Sequence, residues 1–441
     1  MDSAPRTARR IRASAVALAV VLCAAVAPAA RAGWQRPFQF AAPGSLDTIP
    51  AQIGFSGAGA AAAAFGVQNV DDAALSDAFL TLRSAHGQVG APARVPGAQQ
   101  VLSLTFDGSS PELLTGTSPA GLPCCSAAQA IQVTSRGVFR RPRTLVSGLA
   151  GATLGQLLTL ADGRLLAAIS TGAGVWAAQS VSANRFAATH RLTAPHDVPE
   201  ALSATSLGAD DSILAWIAAR GTAFGAVPGT IFTASGTKLS GPRRGYAVLT
   251  VPAGHQIDEL GLAHELSTPT VAWIESWFDA RGGYHSQADV ADLARRPGVR
   301  ALSHAGQLAS GLDVAANAAG DQAVAWKVCT GRGSCSLNVA LRRAGATFAA
   351  PVSLGSIDPS QAPAIAVGRS GEVLVAWVRF GHPVAAARAP GSGSFGRPSV
   401  LSRTTYAADL TLSYGPAREA IAAWTQGTLS PSVVADAYLS P

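Results

Sequence analysis

Lysine is nearly missing from this 441-residue chain: Lys238 and Lys327 are the only two, and Arg and Ala prevail elsewhere. That is a bias of composition rather than a functional signal. Long apolar runs are missing beyond the first 30 residues, so no later segment can cross a bilayer as a single helix. There is no nucleophile-elbow sequence, which removes the usual support for Ser/His/Asp catalysis. There is no Asp-rich Ca²⁺ loop. No His stands near either cysteine pair, so the pairs do not read as a metal site. These absences leave no cofactor and no catalytic motif to name.

What the N-terminus does have is an export pattern. Arg6, Arg9, Arg10 and Arg12 precede an uncharged apolar run from Ala13 to Ala30, closed by Ala30-Arg31-Ala32. A basic start, an apolar core and a small-x-small end predict a signal peptide over residues 1–32, cut after Ala32, and a secreted domain over 33–441. Sec and twin-arginine export both stay open. The net charge of +7 belongs largely to this segment. Removing its five Arg and Asp2 from the 33 basic and 26 acidic residues leaves 28 and 25, a net charge of +3. Nucleic acid is therefore not an expected partner.

Repeats decide the fold class. A turn followed by a short apolar strand ending in Trp recurs as Gly320–Trp326, Gly371–Trp377, Arg418–Trp424, Asp211–Trp216 and Thr268–Trp273. Weaker copies end at Ile169, Gly116 and Phe65. The ends are spaced by 51, 53, 47, 57, 53, 51 and 47 residues. A period near fifty, carried by short apolar runs, is the spacing of a β-propeller. A second phrase follows: an apolar residue, two variable residues, usually Pro, then a strand. It is clearest at Phe139-x-x-Pro142, Phe348-x-x-Pro351 and Phe395-x-x-Pro398, and looser at Val89, Leu239 and Ala294, with Phe186-x-x-Thr189 lacking the Pro. Pro gives no N–H, so the phrase marks the outermost strand of each blade. The copy missing after Trp424 stands at the other end, as Trp34-x-x-Pro37. The expectation is an all-β chain forming a single propeller of eight four-stranded blades, the N-terminal strand completing the last. A seven-bladed ring with one degenerate unit is the alternative.

In this repeat pattern the chain resembles secreted bacterial β-propeller repeat proteins over nearly all of residues 33–441. The resemblance is one of architecture and implies no particular activity. The motifs of better-defined propellers are missing: Phe106-Asp107-Gly108 and Ala161-Asp162-Gly163 lack the Thr-Trp of an Asp box, and no Gly-His…Trp-Asp or paired Gly-Gly pattern appears.

Four Cys remain in an oxidising compartment. Cys329 and Cys335 flank a Gly-containing turn, which predicts a local disulfide. Cys124 and Cys125 are adjacent and either form a vicinal disulfide or stay as thiols. Both pairs fall between the second and third strands of their units, as does the aromatic insert Glu275–His285. This predicts one decorated face with Trp277, Phe278, Asp279, Arg281, Tyr284, His285 and Arg332 as ligand- or partner-binding residues. A hairpin that buries its own aromatics is the alternative. The densest ionisable stretch, His255 to Glu265 with Asp258, Glu259 and His264, is read as solvated sheet edge. So is Glu275, which with Asp279 would make an acid–base pair. The functional expectation is a non-enzymatic, monomeric binding or scaffold module. Its partner would be a cell-wall glycan, a peptide or another extracellular protein. A carbohydrate-active hydrolase or lyase is the alternative.

Overall fold

Every apolar phrase that ends in Trp becomes the second strand of an antiparallel meander. The computed structural model describes residues 33–40, 47–68, 76–119, 124–148, 153–182, 185–193, 199–206, 212–218, 229–235, 245–265, 268–293, 298–331, 333–416, 419–427 and 432–439. The predicted signal segment, the phrases at Leu239 and Ala294, and Arg332 lie outside these, as do the side chains of His264 and Glu265. Among the described residues there are 34 strands and no helix.

Hydrogen bonding groups the strands into seven sheets. Most are four-strand meanders, at 47–94, 100–147, 199–250 and 364–400, with a fifth short strand in the one at 153–191. The eight-stranded sheet is two such meanders, 255–301 and 308–357, joined by a single parallel bridge between Ser286 and Leu308. In the last sheet the strands Ala407–Tyr414, Glu419–Gln426 and Ser432–Leu439 are completed from the other end of the chain. Gly33–Trp34 and Phe38–Gln39 pair with Ser432–Leu439, Trp34 lying opposite Tyr438 and Phe38 opposite Ala435. The Trp34-x-x-Pro37 copy had placed this strand there.

Burial explains the repeat. Second strands such as Leu165–Thr171 and Ser212–Ala218 are buried at every position. A strand covered on both faces loses the alternating pattern and reads as a continuous apolar run. Trp216, Trp273, Trp326, Trp377 and Trp424 are the largest of the fully buried side chains. Each packs into a core shared by two consecutive meanders. The phrase with Pro links to the outer strand: Phe186 and Phe348 are buried, and Pro351 and Pro398 immediately precede Val352–Ile357 and Ser399–Val400. Pro therefore sits in the link rather than in the strand.

The first strands meet one another. Each touches the first strand of the next meander, and Ala407–Tyr414 touches Asp47–Phe55. Polar side chains stitch these contacts. Gln52 Nε2 donates to Leu102 O at 2.9 Å, and Ser103 Oγ accepts from Leu157 N at 2.9 Å. Gln156 Oε1 accepts from Ala204 N at 2.6 Å, Ser203 Oγ from Leu262 N at 2.9 Å, and Asp313 Oδ2 from Ile365 N at 2.8 Å. The Glu259 carboxylate takes Gly311 N at 2.8 Å and also Leu312 N. Gly311 and Leu312 lie in a register shift between Ser310 and Asp313 that takes them off the ladder. A side chain from the preceding meander satisfies the donors that the bulge frees. At the junction of the two chain ends, Phe40, Ala61, Phe65, Ile421, Ala423 and Val433 share one core, and Arg83 pairs with Glu419 at 2.6 Å.

Candidate functional site

The insert after Trp273 is not a loop. Thr268–Phe278 and Tyr284–Asp292 continue as paired strands to a tight turn at 279–283. The pairing fixes the register. Trp277 faces His285 on one side and His255, from the strand His255–Glu265, on the other. The His255 ring stacks on the indole at 4.8 Å with 9° between planes, and the His285 ring lies at 5.7 Å and 28°. Trp277 is thus flanked by two imidazoles and offers no free face. The exposed aromatics are Phe278 (70%) and Tyr284 (45%), which contact each other edge-on at 5.4 Å. The hairpin does not bury them.

Each histidine has a carboxylate partner. His255 Nδ1 lies 2.5 Å from Glu275 Oε1, and His285 Nε2 lies 2.9 Å from Asp279 Oδ2. The remaining nitrogens differ. His285 Nδ1 is buried without a partner. His255 Nε2 is not among the buried orphans, and no protein group bonds it among the described residues. Asp279 is held by more than His285: Arg281 N and Gly283 N both donate to Oδ1 at 2.8 Å. These bonds, the His285 contact foremost, hold its pKa below the ordinary carboxylate value. A register shift between Ile257 and Glu259 turns out Asp258. Its Oδ1 accepts from Gln256 at 2.7 Å and its Oδ2 from Tyr284 Oη at 3.4 Å. Behind them Asp289 is buried against Gln287 Nε2 at 2.7 Å, and burial, reinforced by Glu275, raises its pKa to about 6.

The structure therefore brings together Trp277, Phe278, Asp279, Tyr284 and His285, with exposed Arg281 on the turn. It adds His255, Asp258 and Glu275, which the sequence reading had set aside as solvated edge. Both cysteine pairs are bonded, Cys329 to Cys335 and Cys124 to Cys125. Two disulfides indicate an oxidising, extracytoplasmic setting. Among the described residues no group of three His, Cys, Asp or Glu is placed to hold a metal ion.

No protein-family model matches the chain, and no curated protein matches it in sequence. Solved structures do match its fold. An ulvan lyase, polysaccharide lyase PL25, superposes with a TM-score of 0.50 at 10% identity, covering 91% of this chain and 95% of that one. The polysaccharide lyase Uly1 gives 0.49 at 8% identity over 79% and 91% of the two chains. An α-L-arabinofuranosidase from Fusarium graminearum gives 0.39 at 11% identity over 65% and 92%.

The likeness to the ulvan lyase is one of fold along nearly the whole chain. It overturns the expectation of a non-enzymatic binding or scaffold module, because the architecture taken as a bare scaffold is one that a polysaccharide lyase also has. The non-enzymatic expectation rested on the lack of a contiguous catalytic motif. The candidate groups are spread over three strands and meet only through register.

Proposed function

We propose that the chain is a carbohydrate-active enzyme that cleaves an acidic polysaccharide by β-elimination, on a single ring of eight four-stranded blades. Cyclic contact between first strands and a shared core at each junction support the ring. The observation that carries the chemistry is the His255–Glu275 pair. Glu275 holds the proton on Nδ1, which leaves Nε2 as a base open to solvent. Glu275 acts as a positioning residue. Arg281 pairs with the uronate carboxylate and so acidifies the neighbouring C5–H. His255 Nε2 takes that proton, the C–H electrons form the C4=C5 double bond, and the C4–O bond breaks. Tyr284 Oη gives its proton to the leaving glycosidic oxygen and is reprotonated through solvent from the His255 imidazolium. Phe278 provides the flat apolar surface for a sugar ring. Elimination is favoured over hydrolysis because Asp279, the carboxylate of the turn, is committed as an acceptor to Arg281 N, Gly283 N and His285 Nε2.

The test is incubation with a panel of uronate-containing polysaccharides, following the ultraviolet absorbance of the new double bond. His255→Ala is expected to lose about 10²–10⁴-fold in kcat/KM with its melting temperature retained. New reducing ends without the absorbance would overturn elimination. Residues 1–32 are read as a cleaved signal peptide, so exported protein should begin at Gly33 by mass spectrometry.

A further inference from the structure

We propose that the cleft between the meanders at 308–357 and 364–400 is a second binding site, for the oxyanion groups of an acidic glycan. It lies at the opposite strand ends from the Asp279 turn, where first strands turn into second and third into fourth. The cavity measures about 710 Å³, and Arg343, Arg388, Ser370, Thr347 and Gly391 are among its lining residues. That is far more space than a bare sulfate or carboxylate needs, and is the size of a pocket for a small organic ligand.

Neither cleft arginine is spent on an acid, whereas their neighbour is. Arg342, next in sequence, bonds Asp292 at 2.6 Å and Thr270 Oγ1 at 3.0 Å and covers the Phe348 ring. Arg83 has Glu419. Arg343 is exposed and has no ion pair among the described residues, and Arg388 is half-buried with its Nε enclosed and unpartnered. The acid in the lining, Asp321, is committed elsewhere: Oδ1 accepts from Ala344 N at 3.2 Å and Oδ2 from Asn317 Nδ2 at 3.1 Å. Glu372 beside the cleft accepts from Ser370 N at 3.1 Å. Burial and, second, the neighbouring Arg343 charge depress the Arg388 pKa, with Asp321 opposing them. Two guanidinium groups lining one cleft repel each other, and an oxyanion between them removes that cost. Carboxylate and sulfate ester share this chemistry. The choice of a glycan as carrier rests on the function proposed above, whereas the oxyanion site does not.

The experiment is calorimetric titration of the full secreted chain carrying His255→Ala, which slows turnover. The probes are a uronate tetrasaccharide, a neutral glucose tetrasaccharide and sodium sulfate. The uronate is expected to bind and the neutral sugar not. Arg343→Ala, at an exposed position, should weaken uronate binding about tenfold, as should Arg388→Lys, which keeps charge but loses the fork. Unchanged affinity in both variants, or equal binding of the neutral sugar, overturns the site. Sulfate that raises the melting temperature in an Arg343-dependent way, with no uronate binding, keeps the oxyanion site and overturns the glycan. Arg343-dependent uronate binding in a protein that eliminates no substrate would sink the reaction and leave this site standing.

Discussion

The meanders at 255–301 and 100–147 carry the same repeat with different occupants. In the first, the repeat Trp is Trp273, fully buried, and its strand runs on to Phe278, carrying Trp277 into the two-histidine stack. In the second, the repeat position is Gly116 and the strand stops at Thr117. A Cβ on Gly116 would stand 2.2 Å from Cys125 Sγ and 3.1 Å from Cys124 Sγ. The disulfide thus packs on the face turned to the following meander, the face of Leu114, whereas the indoles lie in the core shared with the preceding one. The contrast separates two roles: the repeat position anchors the core, and strand added beyond it is free to carry chemistry. The largest expected effect tests this within one strand. Trp273→Ala should cost about 3–5 kcal/mol in denaturant unfolding, while Trp277→Ala costs less than about 1 kcal/mol. Equal losses would mean that the stack is core and not tip.

The other meander gives the next effect. Gly116→Ala drives a methyl into the Cys124–Cys125 sulfurs and should cost about 1–3 kcal/mol. In a Cys124→Ser, Cys125→Ser background most of that added cost should vanish in the same unfolding measurement. If the cost persists without the sulfurs, the disulfide is not what fills the space beside Gly116.

The core half of this comparison was legible in the sequence, because a large apolar residue recurs at the end of every copy of the phrase except the one ending at Gly116. The closing strand was legible for the same reason: Trp34-x-x-Pro37 repeats a phrase that elsewhere precedes an outer strand. The hairpin residues Trp277, Asp279, Tyr284 and His285 were visible as an aromatic, ionisable insert. His255 and Glu275 were dismissed because their meeting depends on a one-residue register shift at Asp258, and a bulge leaves no mark on an alternating pattern. The stitching of first strands by Ser103, Gln156, Ser203, Glu259 and Asp313 was equally hidden. It is made of isolated polar residues whose acceptor or donor lies some fifty residues away in the next unit.

The two meanders also differ in how their carboxylates respond to pH. Glu112, on the strand Ser110–Thr117, is 1% exposed and its Oε2 has no partner. Burial first, and Asp107 second, raise its pKa from 4.5 to about 8. A carboxyl whose folded pKa is raised contributes stability that is complete below the unfolded value and lost as pH rises through the folded one. The melting temperature should therefore fall between about pH 5 and pH 9, and Glu112→Gln should flatten that fall. An unaltered slope would place the proton uptake on another buried acid.

Asp279 has the opposite sign and the smallest effect. Its folded pKa lies below the ordinary 3.8, so its bonds to His285, Gly283 and Arg281 contribute stability above that value and lose it as pH falls further. The side chain is exposed, and water screens the charge, so the contribution is small. Asp279→Asn keeps the turn's shape and one acceptor but removes the charge. Its melting curve should trail the wild type slightly at pH 7 and merge with it in acid. The sharper readout is the His285 ring, whose NMR resonances should shift at pH 7 once the Asp279 carboxylate no longer holds Nε2. His285 resonances indifferent to Asp279→Asn would show the pair to be a contact of geometry alone. Chemistry at the tip would then rest on the His255–Glu275 pair.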